Sequence, residues 1–237
     1  MYTQTIHTVL TQNGVSVSRP QAALLSRYLD TLLAVNQTMN LTAIREPDEA
    51  IVKHLLDCAL CAEHVPQGAD LLDVGSGGGL PAFPFAILRP DIKVTALDST
   101  AKKVDFLSQT GKSLGLTNFR AICHRAEELA NNRSYRERYT AVSARAVARL
   151  NVLAELCLPF LKVGGLFLAM KGPQGEEELS ESLGGIGTLG GRPKGVSFFL
   201  LEEADEANRR TLIRIEKIRR TPPPFPRPYA RIASHPL

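Results

Sequence analysis

The chain has 237 residues, 28 Lys and Arg against 24 Asp and Glu, a net charge of +4 and 44% hydrophobic residues. That length fits one generous α/β domain with an appendage, and no apolar run approaches the roughly 18 residues of a membrane span. The opening MYTQTIHTVLTQNG has neither the basic nor the apolar region of a secretory signal, and cysteines at 58, 61, 123 and 157 form no disulfide framework, so a cytoplasmic, reducing location without membrane contact is expected.

Residues 1–66 read as a helical cap. Ser18 is placed as an N-cap with Gln21 at the capping-box position and Pro20 in the first turn, after which Leu24, Leu25, Tyr28, Leu32 and Val35 share one helical face. A break over residues 36–42 precedes a second helix at about 47–61, with Ile51, Leu55 and Cys58 facing inward. Cys58 and Cys61 form a C-x-x-C, but it lies inside this apolar helical pattern with no second pair at zinc spacing, so no metal is expected.

After residue 68 short apolar runs at 70–74, 93–97, 119–123, 141–144 and 166–170 alternate with helix-length stretches. Repeated βα units predict a doubly wound, mostly parallel sheet. Two further runs, 196–201 and 210–217, predict a C-terminal antiparallel hairpin turning at 202–206, for about seven strands in all. The Gly-rich stretch 184–195 is expected to be a loop, and TPPPFPRP at 221–228 an extended tail, because proline supplies no ladder donor. Domains are therefore expected at 1–66, 67–220 and 221–237. Net charge is −2 over residues 1–66, −1 over 67–206 and +7 over 207–237. The excess suggests a phosphate-bearing partner; a solvated basic end is the plainer alternative.

The chemistry concentrates where the strand Leu71-Leu72-Asp73-Val74 runs into Gly75-Ser76-Gly77-Gly78-Gly79-Leu80. Glycine permits tight turning and close approach of a nucleotide ligand to the backbone. A dinucleotide fingerprint starting at Gly75 needs its third Gly at position 80, which is Leu, so the nicotinamide reading loses ground. Asp98 ends the next strand, where its carboxylate can accept hydrogen bonds from both ribose hydroxyls of an adenosine or can cap the following helix. Ser99 and Thr100 would line the same rim, and Ala126 and Glu127 follow the third strand, with a solvated first-turn acid as the alternative for Glu127.

The runs LLDVGSGGGLPAFPFAI, LDSTAKKVDFL, RAEEL, SARAVARL, LPFLKVGG and LAMKGPQGEEEL, with Asn40-Leu41-Thr42 and His54-Leu55-Leu56-Asp57 upstream, closely resemble the RsmG (glucose-inhibited division protein B) family of bacterial 16S rRNA (guanine-N7) methyltransferases. The likeness spans about residues 36–180 and resumes at 221–227. It implies a Rossmann-like methyltransferase fold, S-adenosylmethionine as cofactor, 16S rRNA or the small ribosomal subunit as partner, and a monomer. It also implies transfer to N7 of the guanine at position 527. Carried over residue by residue, it puts cofactor contacts at Gly75, Gly77, Leu80, Asp98, Ser99, Thr100, Ala126, Glu127 and Arg145. The chain departs from the family pattern at Ala82, where Gly is usual, and at Pro223 and Pro224, where a Lys pair is common.

Guanine N7 has an in-plane lone pair and no proton, so the reaction needs alignment and desolvation more than a general base, and no catalytic residue is expected. A-form RNA buries N7 in a deep, narrow groove, so the target should lie in a loop or be splayed out. Lys171, Arg227 and Arg231 are the candidates for gripping RNA, with Arg145 able to serve both ligands; Asn40 and His54 are either structural hydrogen-bonders or substrate contacts. The competing readings are a small-molecule methyltransferase, a non-catalytic RNA-binding assembly protein and a nicotinamide oxidoreductase.

Overall fold

A computed structural model describes residues 2–201 and 208–237. Its strands are β1 (Asp70–Val74), β2 (Lys93–Asp98), β3 (Phe119–Cys123), β4 (Tyr139–Arg145), β5 (Leu161–Lys171), β6 (Gly191–Leu200) and β7 (Arg209–Lys217), in one sheet ordered β3-β2-β1-β4-β5-β7-β6. The first five run parallel, whereas β7 inserts antiparallel between β5 and β6. From β1 the chain winds outward through β2 and β3, then crosses to β4 on the other side. The carboxyl ends of β1 and β4 therefore flank the switch point, where open α/β sheets bind ligands.

Helices α5 (Ala82–Leu88), α6 (Ala101–Ser113), α7 (Ala126–Leu129), α8 (Leu150–Cys157) and α9 (Gly175–Thr188) connect the strands. The cap is built from α1 (Thr3–Gln12), α2 (Arg19–Met39), α3 (Pro47–Ala50), a π-helical segment (Ile51–Leu56) and α4 (Asp57–Ala62). Ser18 and Gln21 exchange both hydrogen bonds of the expected capping box. In α2 the fully buried stripe is Leu25, Tyr28, Leu29 and Leu32, while Leu24 and Val35 are only partly covered. The helix also outlasts the expected break at residue 36. Asn36 is buried and its Oδ1 accepts the Thr42 N–H at 2.9 Å, folding the following loop back, while Asn40, at φ 50°, ends the helix. Cap and sheet share one hydrophobic core, in which Tyr28 packs on Phe83 of α5 with ring centroids 4.9 Å apart.

Two expectations need correction. The stretch 184–195 is no loop: its first residues complete α9 and its last begin β6. At Gly191 a Cβ would stand 2.9 Å from both Ile186 and Ile215, so close packing of helix on sheet, rather than a turn, requires glycine there. The segment after 220 is not a free tail. Prolines lack N–H groups but keep their carbonyls, and Arg136 donates to the carbonyls of Thr221, Pro222 and Phe225, after which α10 (Tyr229–Ser234) docks with Ile232 fully buried. The turn expected at 202–206 lies outside the described residues.

Candidate cofactor and substrate site

The Gly loop joining β1 to α5 is held from three sides. Gly75 and Ser76 donate their N–H groups to the carbonyl of Leu97 at 2.8 and 3.0 Å, Gly77 donates to Oδ2 of Asp98 at 2.9 Å, and Tyr28 of the cap donates its hydroxyl to the carbonyl of Gly78 at 2.8 Å. Gly75 lies at φ 75°, and a Cβ there would meet Val147 at 2.5 Å, so both backbone and space demand glycine.

Two clefts open on either side of this loop, sharing Gly75 and Asp98. The first, about 270 Å³, is bounded by Leu97, Ser99, Ala126, Glu127, Val147 and Tyr229. The second, about 440 Å³, is lined by the cap residues Leu41, Thr42 and His54 together with Gly77, Leu80 and Arg145. Asp98 stands at the junction. Its Oδ1 accepts the Thr100 N–H at 2.9 Å, one residue before α6 begins, so it ties the entry to that helix to the Gly loop without capping the helix; Thr100 contributes through that bond and lines neither cleft. A carboxylate offers about four acceptor sites, so two remain for a ligand. Glu127 is only 7% exposed and receives Arg125 Nε at 2.8 Å, which sets aside the solvated alternative. Tyr229 and Val147 escape sequence reasoning, since nothing in either local pattern marks a residue that arrives at the cleft through tertiary packing.

Arg145 ends β4 and reaches back into the cap. Its Nη2 donates to the carbonyl of Lys53 and to His54 Nδ1, both at 2.9 Å, and Nε lies 3.1 Å from Oδ2 of Asp57. Burial pushes the Asp57 carboxyl up, opposed by Arg145 and Arg210, and burial together with Arg145 pushes His54 down to about 4. Arg145 thus borders the second cleft while holding the cap to the sheet. His54 proves to be a hydrogen-bonded wall residue, and Asn40 an exposed helix terminator. Beneath the loop, Asp73 is fully buried; Ser143 donates to its Oδ1 at 2.8 Å, Oδ2 has no hydrogen-bond partner among the described residues, and burial pushes the carboxyl up to about 6, opposed by hydrogen bonding from Ser76 and Ser143.

The cations expected on RNA are differently placed. Lys171, only 9% exposed, meets Glu178 at 2.7 Å and the Ala148 carbonyl at 2.6 Å. Arg227 forms a two-pronged pair with the buried Glu155, using Nε and Nη2, and its backbone N–H adds a third bond. Neither is a solvent-facing grip, because each neutralises a carboxylate that folding removes from water. Arg231 is exposed. The +7 of the C-terminal residues is therefore partly matched inside the fold, not gathered into one patch.

A family model described as GidB, rRNA small subunit methyltransferase G, matches residues 21–205. The chain belongs to this family. Ribosomal RNA small subunit methyltransferase G of Clostridium perfringens (strain 13 / Type A) is 42% identical over 212 residues, covering 89% of this chain and 88% of that one. Its counterpart from Desulfitobacterium hafniense (strain Y51) is 42% identical over 224 residues, covering 94% and 92%. Among solved structures, TYW2 of M. jannaschii in complex with AdoMet superposes with a TM-score of 0.54 at 13% identity, over 70% of this chain and 77% of that one, a likeness of fold alone. Membership of the rRNA small subunit methyltransferase G family makes the chain an S-adenosylmethionine-dependent rRNA methyltransferase on a Rossmann-like fold, as the motifs implied. Among the described residues no helix is long and apolar enough to cross a membrane.

Proposed function

We propose that this enzyme, acting as a cytoplasmic monomer, transfers the methyl group of S-adenosylmethionine to N7 of the guanine at position 527 of 16S rRNA. The observation that carries the reading is Asp98, a buried carboxylate with acceptor capacity to spare at the junction of two clefts on the switch-point edge. When bound, S-adenosylmethionine supplies a sulfonium-activated methyl group, for which guanine N7 is a proton-free acceptor.

The residues present fit that group. The first cleft suits the adenosine, with Asp98 accepting from the ribose hydroxyls and Ser99, Ala126 and Glu127 around the base. The amino-acid end would lie over Gly75 and Gly77 toward Leu80 and Arg145, with Asp73 buried beneath the loop, its Oδ2 without a hydrogen-bond partner among the described residues. The protein's part is to align the two reactants and exclude water, since no proton has to be removed from N7. His54 suits this division of labour: it is neutral at pH 7 and its Nδ1 lone pair is taken by Arg145, so it is a fixed hydrogen-bonding group and no proton carrier. The exposed Arg231 remains as a phosphate contact.

Mapping N7-methylated guanines in 16S rRNA from cells with and without this protein tests the assignment. Modification at position 527 should depend on the protein, and its presence in both or neither would overturn the reading. In calorimetric titration of the folded protein, Asp98→Ala should weaken cofactor binding by about 1.5–3 kcal/mol, the range for hydrogen bonds to a charged group.

A further inference from the structure

The wall of the second cleft holds a hydrogen-bond chain whose direction is fixed from one end. A guanidinium can only donate. Nη2 of Arg145 lies 2.9 Å from both the Lys53 carbonyl and Nδ1 of His54, closer than Nδ1 lies to that carbonyl, so the cationic donor is the one assigned to Nδ1 and the ring proton of the neutral imidazole is placed on Nε2. The 3.1 Å approach of Nδ1 to the Lys53 carbonyl is then a contact between two acceptors served by the same nitrogen. Nε2–H donates to Oγ1 of Thr42 at 2.7 Å, and the same oxygen accepts the Ile44 N–H at 3.1 Å. A hydroxyl oxygen has two lone pairs and one proton. Both lone pairs of Thr42 are thus taken, and its proton has no acceptor among the described residues. The Thr42 backbone is itself anchored through Asn36, and Thr42 lines the cleft that also holds Gly77 and Leu80.

We propose that Thr42 is a ligand-binding residue of the methyl-transfer site, its hydroxyl donating to an acceptor oxygen of the ligand seated in the second cleft, with His54 and Arg145 as positioning residues that leave it only the donor role. The inference rests on the methyl-transfer reading above. Two oxygens of this chemistry come to such a cleft, O6 of guanine and the carboxylate of the cofactor's amino-acid end. A donor facing O6 also separates guanine from adenine, which presents an amino group at that position. Because His54 stays neutral well below pH 7, the direction of the chain holds across the physiological range.

The test combines protein and substrate changes. Thr42→Val removes the donor and keeps the shape, Thr42→Ser keeps the hydroxyl, and 2-aminopurine at the target position of 16S rRNA keeps N7 but lacks O6. Cofactor affinity is measured by calorimetry and methyl transfer in single turnovers. If the acceptor is O6, Thr42→Val slows transfer to guanine roughly two- to tenfold, the range of one neutral hydrogen bond, but not transfer to 2-aminopurine, and cofactor affinity is unchanged. If it is the carboxylate, cofactor affinity falls roughly 10- to 150-fold, the range of one hydrogen bond to a charged group, whichever base is present. Thr42→Ser should behave as the wild type in both arms. Unchanged affinity and rates in Thr42→Val, or an equal slowing with both bases at unchanged cofactor affinity, would overturn the proposal, the latter because it marks a merely structural role. Should Thr42→Val not fold, Thr42→Cys, a weak acceptor and poor donor, is read in the same way. A wild-type protein that leaves the guanine unmodified would sink the proposed function, while the cofactor arm would still decide the role of Thr42.

Discussion

The N-terminal cap and the C-terminal segment reach the same site from opposite sides, each tied down by a buried arginine–carboxylate pair, yet the two ties differ in kind. At the C-terminal segment Arg227 gives Glu155 two guanidinium bonds and one backbone bond, so both carboxylate oxygens are held by one residue and the pair ends there. At the cap Arg145 divides its donors among the Lys53 carbonyl, His54, Asp57 and Cys58, and the chain continues through His54 to a hydroxyl on the cleft wall. One pair is a clamp. The other is a clamp that also sets the polarity of a ligand surface, so charge count and burial alone do not separate structural from functional ion pairs.

The sharpest way to break this comparison is to remove the C-terminal clamp. Arg227→Ala leaves Glu155, fully buried, without its cation, and should lower stability by about 3–5 kcal/mol in urea denaturation. The salt dependence of RNA binding should not change. Arg231→Ala should do the reverse, leaving stability within about 0.5 kcal/mol and flattening the salt slope by about 0.7 for a single-strand phosphate contact. A stable Arg227→Ala protein with a flattened slope would return Arg227 to the RNA surface.

The cap's network predicts a pH effect. His54 titrates near 6.5 when unfolded and at about 4 when folded, so between those values the unfolded chain binds the extra proton and stability from this group is lost as pH falls. Relative to His54→Gln, the wild-type protein should lose about 3 kcal/mol between pH 7 and pH 4. Asp73, raised to about 6, works the opposite way and gains stability as pH falls from about 6, but it is present in both proteins and cancels from the comparison. Parallel pH profiles for the two proteins would exclude a depressed His54. The smallest expected effect belongs to the cap's second tether. Tyr28→Phe removes only the bond to the Gly78 carbonyl and should cost about 0.5–1.5 kcal/mol in thermal or urea unfolding.

Much of the fold is legible in the order of the residues. The five parallel strands, the C-terminal hairpin and the capping box at Ser18 are written in local periodicity and cap chemistry, which act over a few neighbouring residues. The Gly loop and Asp98 are legible for the same reason: a strand, a tight turn and a helix start are local events, and together they place a carboxylate at the carboxyl end of β2, one strand from the switch point. The stretch 184–195 misleads because its glycines answer to Ile186 and Ile215 across a packed interface and not to a turn.

What the sequence determined by itself, then, is the sheet, the Gly loop and the place of Asp98 at the end of β2. Tertiary structure decided where the long cations go. Arg145, Lys171 and Arg227 all stand at positions where a ligand-facing role is reasonable, and each turns to a protein group brought near only by folding: Asp57 in the cap, Glu178 on α9, and Glu155 on α8. A side chain with several rotatable bonds has no preferred partner along the chain, and a carboxylate removed from water by folding must be paired wherever its cation comes from. The same physics turned Thr42, an ordinary loop residue by its sequence, into a hydroxyl with one role left to play.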